Sequence, residues 1–309
     1  MKTGINFWLP VFCIIIICGC SRNPGTDKTA NANPSTDSRL NSGAPILALS
    51  ILPQEYFVRR IGLDRIQTIV LAGQNQNPHS YEPNPRQLQD LAGADAWILS
   101  GTEFEIALEP KIRSLFPSLT IIDGTAGVHF RSIEDHDEED DDHDHGKDAI
   151  DRHTWLGSEG AQIMASHIRD TLCNLDEANA SFYNENYSRL VNDIREEFDH
   201  LKAELAILRG KTVLVYHPAF GYFLDEFGVI QDAVETGGKE PSPRMLAQII
   251  GKARADNVKV IFVQAQFPVE SAGTVARAAG AELFVLDPLA ADWLENIRYM
   301  GEALKRAIQ

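Results

Sequence analysis

Residues Asp176 to Leu208 read DEANASFYNENYSRLVNDIREEFDHLKAELAIL. Apolar side chains recur near i, i+3 and i+4 spacing (Phe182, Leu190, Ile194, Phe198, Leu201, Leu205), and no Gly or Pro interrupts them. That period predicts a single amphipathic helix, and Gly210 ends it. Thirty-odd helical residues run roughly 50 Å, longer than one small domain is wide. Such a helix reads as a bridge between two lobes.

On either side of this stretch, short apolar runs alternate with helical patterns. Before it, strands are expected at Ile46–Leu52, Gln67–Leu71, Ala94–Leu99 and Ser118–Ile122. The helices between and after them are Gln54–Leu63, a segment opened by Asn84 and Pro85, Glu103–Leu115 and Ser158–Leu175. After it, strands are expected at Thr212–Tyr216, Val229–Val234, Lys259–Val263 and Glu282–Leu286. Their helices are Phe220–Phe227, Ser242–Ala255, Val269–Ala279 and Ala290–Ile308. Strand–helix alternation of this kind implies parallel sheets. The expected fold is α/β: two (βα)4-like lobes, residues 44–175 and 210–309, joined by a long rigid helix over 176–209.

Residues 1–19 read as a signal segment, with Lys2 before an apolar run from Phe7 to Cys18. The run is too short for a stable membrane span. Its ending, Ile17-Cys18-Gly19-Cys20, resembles a bacterial lipobox, which implies lipidation at Cys20. Residues 20–43 are a Ser/Asn/Thr/Pro/Gly-rich tether. With Cys13 and Cys18 removed and Cys20 lipidated, Cys173 is left alone and no internal disulfide can form. The expectation is an exported, membrane-tethered protein facing the periplasm or cell exterior.

The net charge of the 309-residue chain is −16, which argues against nucleic acid as a partner. Half of that charge sits in one insert, residues 129–148, where ten acids face only Arg131 and Lys147. Its core, HFRSIEDHDEEDDDHDHG over 129–146, interleaves His129, His136, His143 and His145 with Asp and Glu. It has too little apolar surface to build a core. Imidazole and carboxylate together suit borderline divalent cations such as zinc, while an acidic run taken alone is an ordinary solvated insert.

Outside the insert, three histidines stand at loops that follow strands or precede a helix. They are His79 in NPHSYEP (77–83), His153 in DRHTWL (151–156) and His217 in YHPAF (216–220). Asp287, in LDPL (286–289), stands just past a strand. Ligands of open α/β sheets bind beyond the carboxyl ends of strands. Three imidazoles and a carboxylate, two from each lobe, would close a four-ligand shell in an interlobe cleft. Taken singly, each His–Pro or Asp–Pro unit is also an ordinary turn. His167 and His200 lie among charges on helices and read as surface residues.

The segments NPHSYEP, DRHTWL, GKTVLVYHPAFGYFLDEFG, GKEPSPRMLAQII and LDPLAADWLENIRYM together resemble the zinc/manganese-specific solute-binding proteins of ABC importers. The resemblance runs from about Ile46 to Ile308. It implies a two-lobed fold, a metal site of His79, His153, His217 and Asp287, and an ABC permease with its ATPase as partners. Glu82 is an accessory candidate, as are the four insert histidines. The chain departs from the family pattern at Arg152, where proline commonly precedes the histidine, and at Gly157-Ser158. Trp155, Tyr81, Phe220 and Tyr222 are expected to form the shell around the ligands.

The expected function is capture of Zn2+ as cargo by a monomeric, non-enzymatic receptor. Mn2+ or ferrous iron is the alternative cargo, since a carboxylate-bearing site suits either. A zinc hydrolase would need a general base and a pairing such as HExxH, which the chain lacks. A metal-dependent adhesin lipoprotein is the remaining class. Capture by neutral imidazoles weakens as pH falls through the ordinary imidazole range, roughly 6.5.

Overall fold

The structure is a computed structural model and describes residues 43–133, 150–234, 243–255, 258–267 and 269–306. The signal segment, Cys20, the tether to residue 42, His136, His143, His145 and Ser242 lie outside the described residues.

The first lobe holds β1 (Ile46–Ile51), α1 (Leu52–Gly62), β2 (Gln67–Ala72), α2 (Pro85–Ala92), β3 (Ala96–Leu99), α3 (Glu103–Leu115), β4 (Thr120–Asp123) and α4 (Ser158–Leu175). Its sheet is parallel, in the order β2-β1-β3-β4. The central strands β1 and β3 are buried almost throughout, which accounts for their unbroken apolar runs. Asn84 caps α2 as its sequence implies: its side chain accepts from Gln87 N–H, and the Gln87 side chain returns the bond to Asn84 N–H.

The second lobe repeats the plan with β5 (Thr212–Val215), α6 (Gly221–Asp225), β6 (Ile230–Ala233), α7 (Pro243–Ala255), β7 (Val260–Gln264), α8 (Val269–Ala279), β8 (Glu282–Leu286) and α9 (Trp293–Arg306). This sheet is also parallel, in the order β6-β5-β7-β8.

Between the lobes runs α5, Ala180–Glu204. It is shorter than the expected 176–209. At 25 residues it spans about 37 Å, and single 3-10 turns at Glu177–Asn179 and Ala206–Leu208 flank it. The early break has a local cause. Asp176 leaves the helical region at φ −141° and ψ 70°, and its carboxylate accepts bonds from the Asn179 side chain and the Tyr183 hydroxyl, which fixes a turn where the apolar period alone would continue.

Tyr183, Leu190, Ile194, Phe198 and Leu201 form the buried stripe of α5. Full burial of each such side chain is worth roughly 1.5–3 kcal/mol. The stripe belongs to one apolar cluster that ignores the lobe boundary. Phe57 and Ile61 of α1, Phe198 of α5, Phe223 of α6, and Trp293 and Ile297 of α9 are all members. The Trp293 ring lies 5.2 Å from Phe57 and 6.4 Å from Phe198, so the last helix of the second lobe packs on the first.

Candidate metal centre

Every loop that reaches the cleft leaves the carboxyl end of a strand. His79 follows β2, Glu103 follows β3, His153 lies between β4 and α4, His217 follows β5, and Gln266 follows β7. The three histidines converge: one ligand nitrogen from each lies within 4.8 Å of the other two. The ring centroids of His79 and His217 are 4.7 Å apart, with 5.6 Å for His79–His153 and 5.4 Å for His153–His217. Nitrogens on one tetrahedral zinc, each at roughly 2.0–2.1 Å, stand about 3.4 Å apart, so a small inward movement would close such a shell. The cavity they line has a volume of about 20 Å³, room for one water-sized occupant.

Each imidazole is held from behind. Nδ1 of His153 is 2.9 Å from Oδ1 of Asp151, which also accepts from the His153 backbone N–H. Asp151 is fully buried, and its second oxygen accepts from Arg131 at 3.0 Å. Burial raises the Asp151 carboxyl, but the bond and charge of His153, with Arg131 behind them, hold it below the usual range. Nδ1 of His79 lies 3.0 Å from Oε2 of Glu103. Burial raises that carboxyl too, yet the bond and charge of His79 take it down to about 2. His217 is fixed through its backbone: Gln264 accepts from its N–H and donates to its carbonyl at 2.6 Å. Its ring stacks on Phe267 at 4.7 Å. Carboxylate–imidazole pairs of this kind set which ring nitrogen faces a metal.

Asp287 does not join the three-histidine group. Its Oδ1 accepts from the Gln266 side chain and from Leu289 N–H, and its carbonyl accepts from Asn296. It therefore shapes the turn whose Pro288 carbonyl receives the Trp155 indole N–H. Glu82 is exposed. His129 is also exposed and faces Glu159 at 3.3 Å. His167 is bonded to the Ala126 carbonyl, and His200 faces Glu204. Trp155, Tyr81 and Phe220 are buried, and Trp155 touches the His153 ring at 5.4 Å.

Glu103 is the site residue that sequence reading passed over. It opens α3 directly after the β3 loop, and the strand-end rule that selected Asp287 applies equally to it. Its other oxygen faces Arg152 at 4.0 Å, and Arg152 also donates to the Gly101 carbonyl. Arg152 thus ties the His153 segment to the Glu103 loop.

Residues 48–307 match the family described as ZnuA, zinc-uptake complex component A, periplasmic. The chain is 23% identical over 292 residues to the zinc-binding lipoprotein AdcA of Streptococcus pneumoniae, covering 92% of this chain but 55% of that protein, so it spans about half the length of this relative. It is 24% identical over 282 residues to the high-affinity zinc uptake system protein ZnuA of Bacillus subtilis, covering 90% of this chain and 86% of that one. A crystal structure of ZnuA superposes with a TM-score of 0.78 at 32% identity, over 85% of this chain and 99% of the other.

Proposed function

The chain belongs to the ZnuA family of periplasmic zinc-uptake components, and from that premise we propose that it is the extracytoplasmic receptor of an ABC importer, capturing Zn2+ in the interlobe cleft and delivering it to a membrane permease. The observation that carries this reading is the convergence of His79, His153 and His217, from both lobes, on a space for one ion. We assign these three as the protein's ligands. Asp287, engaged by Gln266 and Leu289, frames the cleft.

Three imidazoles with no carboxylate in their group suit zinc better than manganese, which prefers oxygen-rich sites. The two carboxylates nearest the ligands face ring nitrogens instead, Asp151 at 2.9 Å from His153 and Glu103 at 3.0 Å from His79, and raise the basicity of the imidazoles. The chemistry is chelation and release; the protein binds its cargo and performs no reaction on it. Lipid attached at Cys20 holds the receptor at the membrane, facing the periplasm or cell exterior, as a monomer beside its permease and ATPase. No helix among the described residues is long and apolar enough to cross a membrane. The acidic insert, with His129, His136, His143 and His145, raises the local cation concentration through weak, exchanging sites.

The test is a competitive titration with Zn2+ and Mn2+ on the wild type and on His153→Ala. A single tight zinc site that outcompetes manganese and disappears in the variant is expected. Unchanged tight binding in His153→Ala would overturn the ligand assignment.

A further inference from the structure

Arg131 stands at the root of the acidic insert, where Ser132 and Ile150 pair as an antiparallel bridge and Asp151 N–H donates to the Arg131 carbonyl. Its guanidinium leaves the first lobe. Nη1 donates to Oδ2 of Asp151, and Nε donates to Asp225 of α6 in the second lobe, both at 3.0 Å. Tyr222, also on α6, completes the junction: its hydroxyl accepts from Arg131 N–H at 3.0 Å and donates to the Asp151 carbonyl at 3.1 Å.

The close approach depends on Gly221. A Cβ there would stand 1.7 Å from Arg131 Nη1 and 2.7 Å from Asp151 Oδ2. The guanidinium therefore lies in a slot that a side chain at Gly221 would fill. Helix α6 follows His217 after three residues, and only Arg152 separates Asp151 from His153. A single guanidinium thus connects the carboxylate that holds His153 to the helix that follows His217, and these ligands come from different lobes.

We propose that Arg131 is an interlobe latch, a positioning residue that fixes the spacing of His153 and His217 by holding Asp151 and helix α6 together. The proposal rests on the zinc-receptor reading and deepens it. The cation itself needs only the imidazoles; the latch determines how long they stay in register once it has bound. A planar fork with several fixed donors can serve two carboxylates in this way, and a lysine ammonium is a poorer substitute. Loss of the latch is accordingly expected in the release rate of the metal, with little change in its association rate.

Zinc release from the full-length protein would be followed by chelator chase in the wild type, Asp225→Asn, Tyr222→Phe, Arg131→Gln and the Arg131→Gln/Asp225→Asn double variant, with thermal midpoints measured alongside. Asp225 is more than half exposed, so its replacement leaves the core intact. Release from Asp225→Asn is expected to be about 1.4- to fivefold faster, the range of a partly exposed ion pair, with an unchanged association rate and midpoint. The double variant should release no faster than Arg131→Gln alone, because both changes undo one junction. Release rates that stay at the wild-type value, or effects of the two substitutions that simply multiply, would overturn the latch while leaving the receptor reading standing. If instead the wild type shows no tight zinc site, or His217→Ala keeps it, the receptor reading falls and the latch with it.

Discussion

The indole N–H of Trp293 donates to the carbonyl oxygen of Trp155 at 2.7 Å, while the indole of Trp155 donates to the Pro288 carbonyl at 2.8 Å. The turn that follows His153 is thereby bonded in both directions to the second lobe. Both rings are almost completely buried, so neither carbonyl has water to fall back on. Trp293→Phe keeps most of the apolar volume and removes the donor. A buried acceptor left unsatisfied costs about 1–3 kcal/mol. The urea midpoint should fall by the equivalent amount with an unchanged slope, and a midpoint within error of wild type would refute the role given to this bond.

Asp151→Asn addresses the ligand more directly. The amide keeps the shape but has lost the charge that faces the His153 Nδ1–H and Arg131 together. Substitutions of carboxylates that orient metal-binding imidazoles weaken affinity about 10- to 100-fold, and the same loss is expected in a zinc competition titration. Wild-type affinity in this variant would mean that the ring is oriented by packing alone.

Acid stability should report on Glu103. Its carboxyl has an ordinary value of 4.5 and is held at about 2 in the fold. The unfolded chain therefore binds the extra proton first on acidification. The contribution of Glu103 to stability is complete above 4.5 and is lost as pH falls toward 2. Glu103→Gln should show a flatter decline over that interval, read from urea midpoints at successive pH values. Equal acid sensitivity in the two proteins would count against the His79–Glu103 pairing.

Two helical glycines should respond with opposite signs to the same substitution. A Cβ at Gly160 would lie 2.1 Å from the Thr154 carbonyl oxygen, whereas at Gly251 it would meet nothing within 4 Å. Gly251→Ala on α7 should stabilise by up to about 1 kcal/mol through helix propensity. Gly160→Ala must push back the backbone beside His153 and is expected to cost about 1–3 kcal/mol and to weaken zinc binding. Thermal melts of both variants decide the point; a stabilised Gly160→Ala would show that the turn yields freely.

The sequence yields the two-lobed plan because each signal for it is local. Alternation of apolar runs and helical periods marks each of the eight strands among the described residues, and α3, α4, α8 and β8 begin and end where their patterns do. The ends of α5 were harder to read, since the side chain of Asp176 competes with the backbone and periodicity does not register that. His79, His153 and His217 are legible as candidates because strand ends gather in one cleft, where the three converge. Asp287 obeys the same rule, and one of its oxygens, Oδ1, accepts from Gln266 and from Leu289 N–H. Glu103 went unread because its partner, His79, is distant in the chain and approaches from a different strand. Arg131 was counted only as a charge in an acidic insert, and nothing in its neighbours points to α6.

The apolar cluster shared by the two lobes has a kinetic consequence. Swinging the lobes apart would strip Phe57, Phe198, Phe223 and Trp293 from one another, at roughly 1.5–3 kcal/mol for each large side chain returned to water. Parting the lobes is therefore costly, and the three imidazoles already stand within a small inward movement of a closed shell. Affinity in such a molecule is not divided by the fraction of time spent in a competent shape. Metal uptake should accordingly follow a single exponential whose rate rises linearly with zinc concentration and shows no plateau from a preceding rearrangement. Release, which must part the same buried rings, is then expected to be slower than uptake.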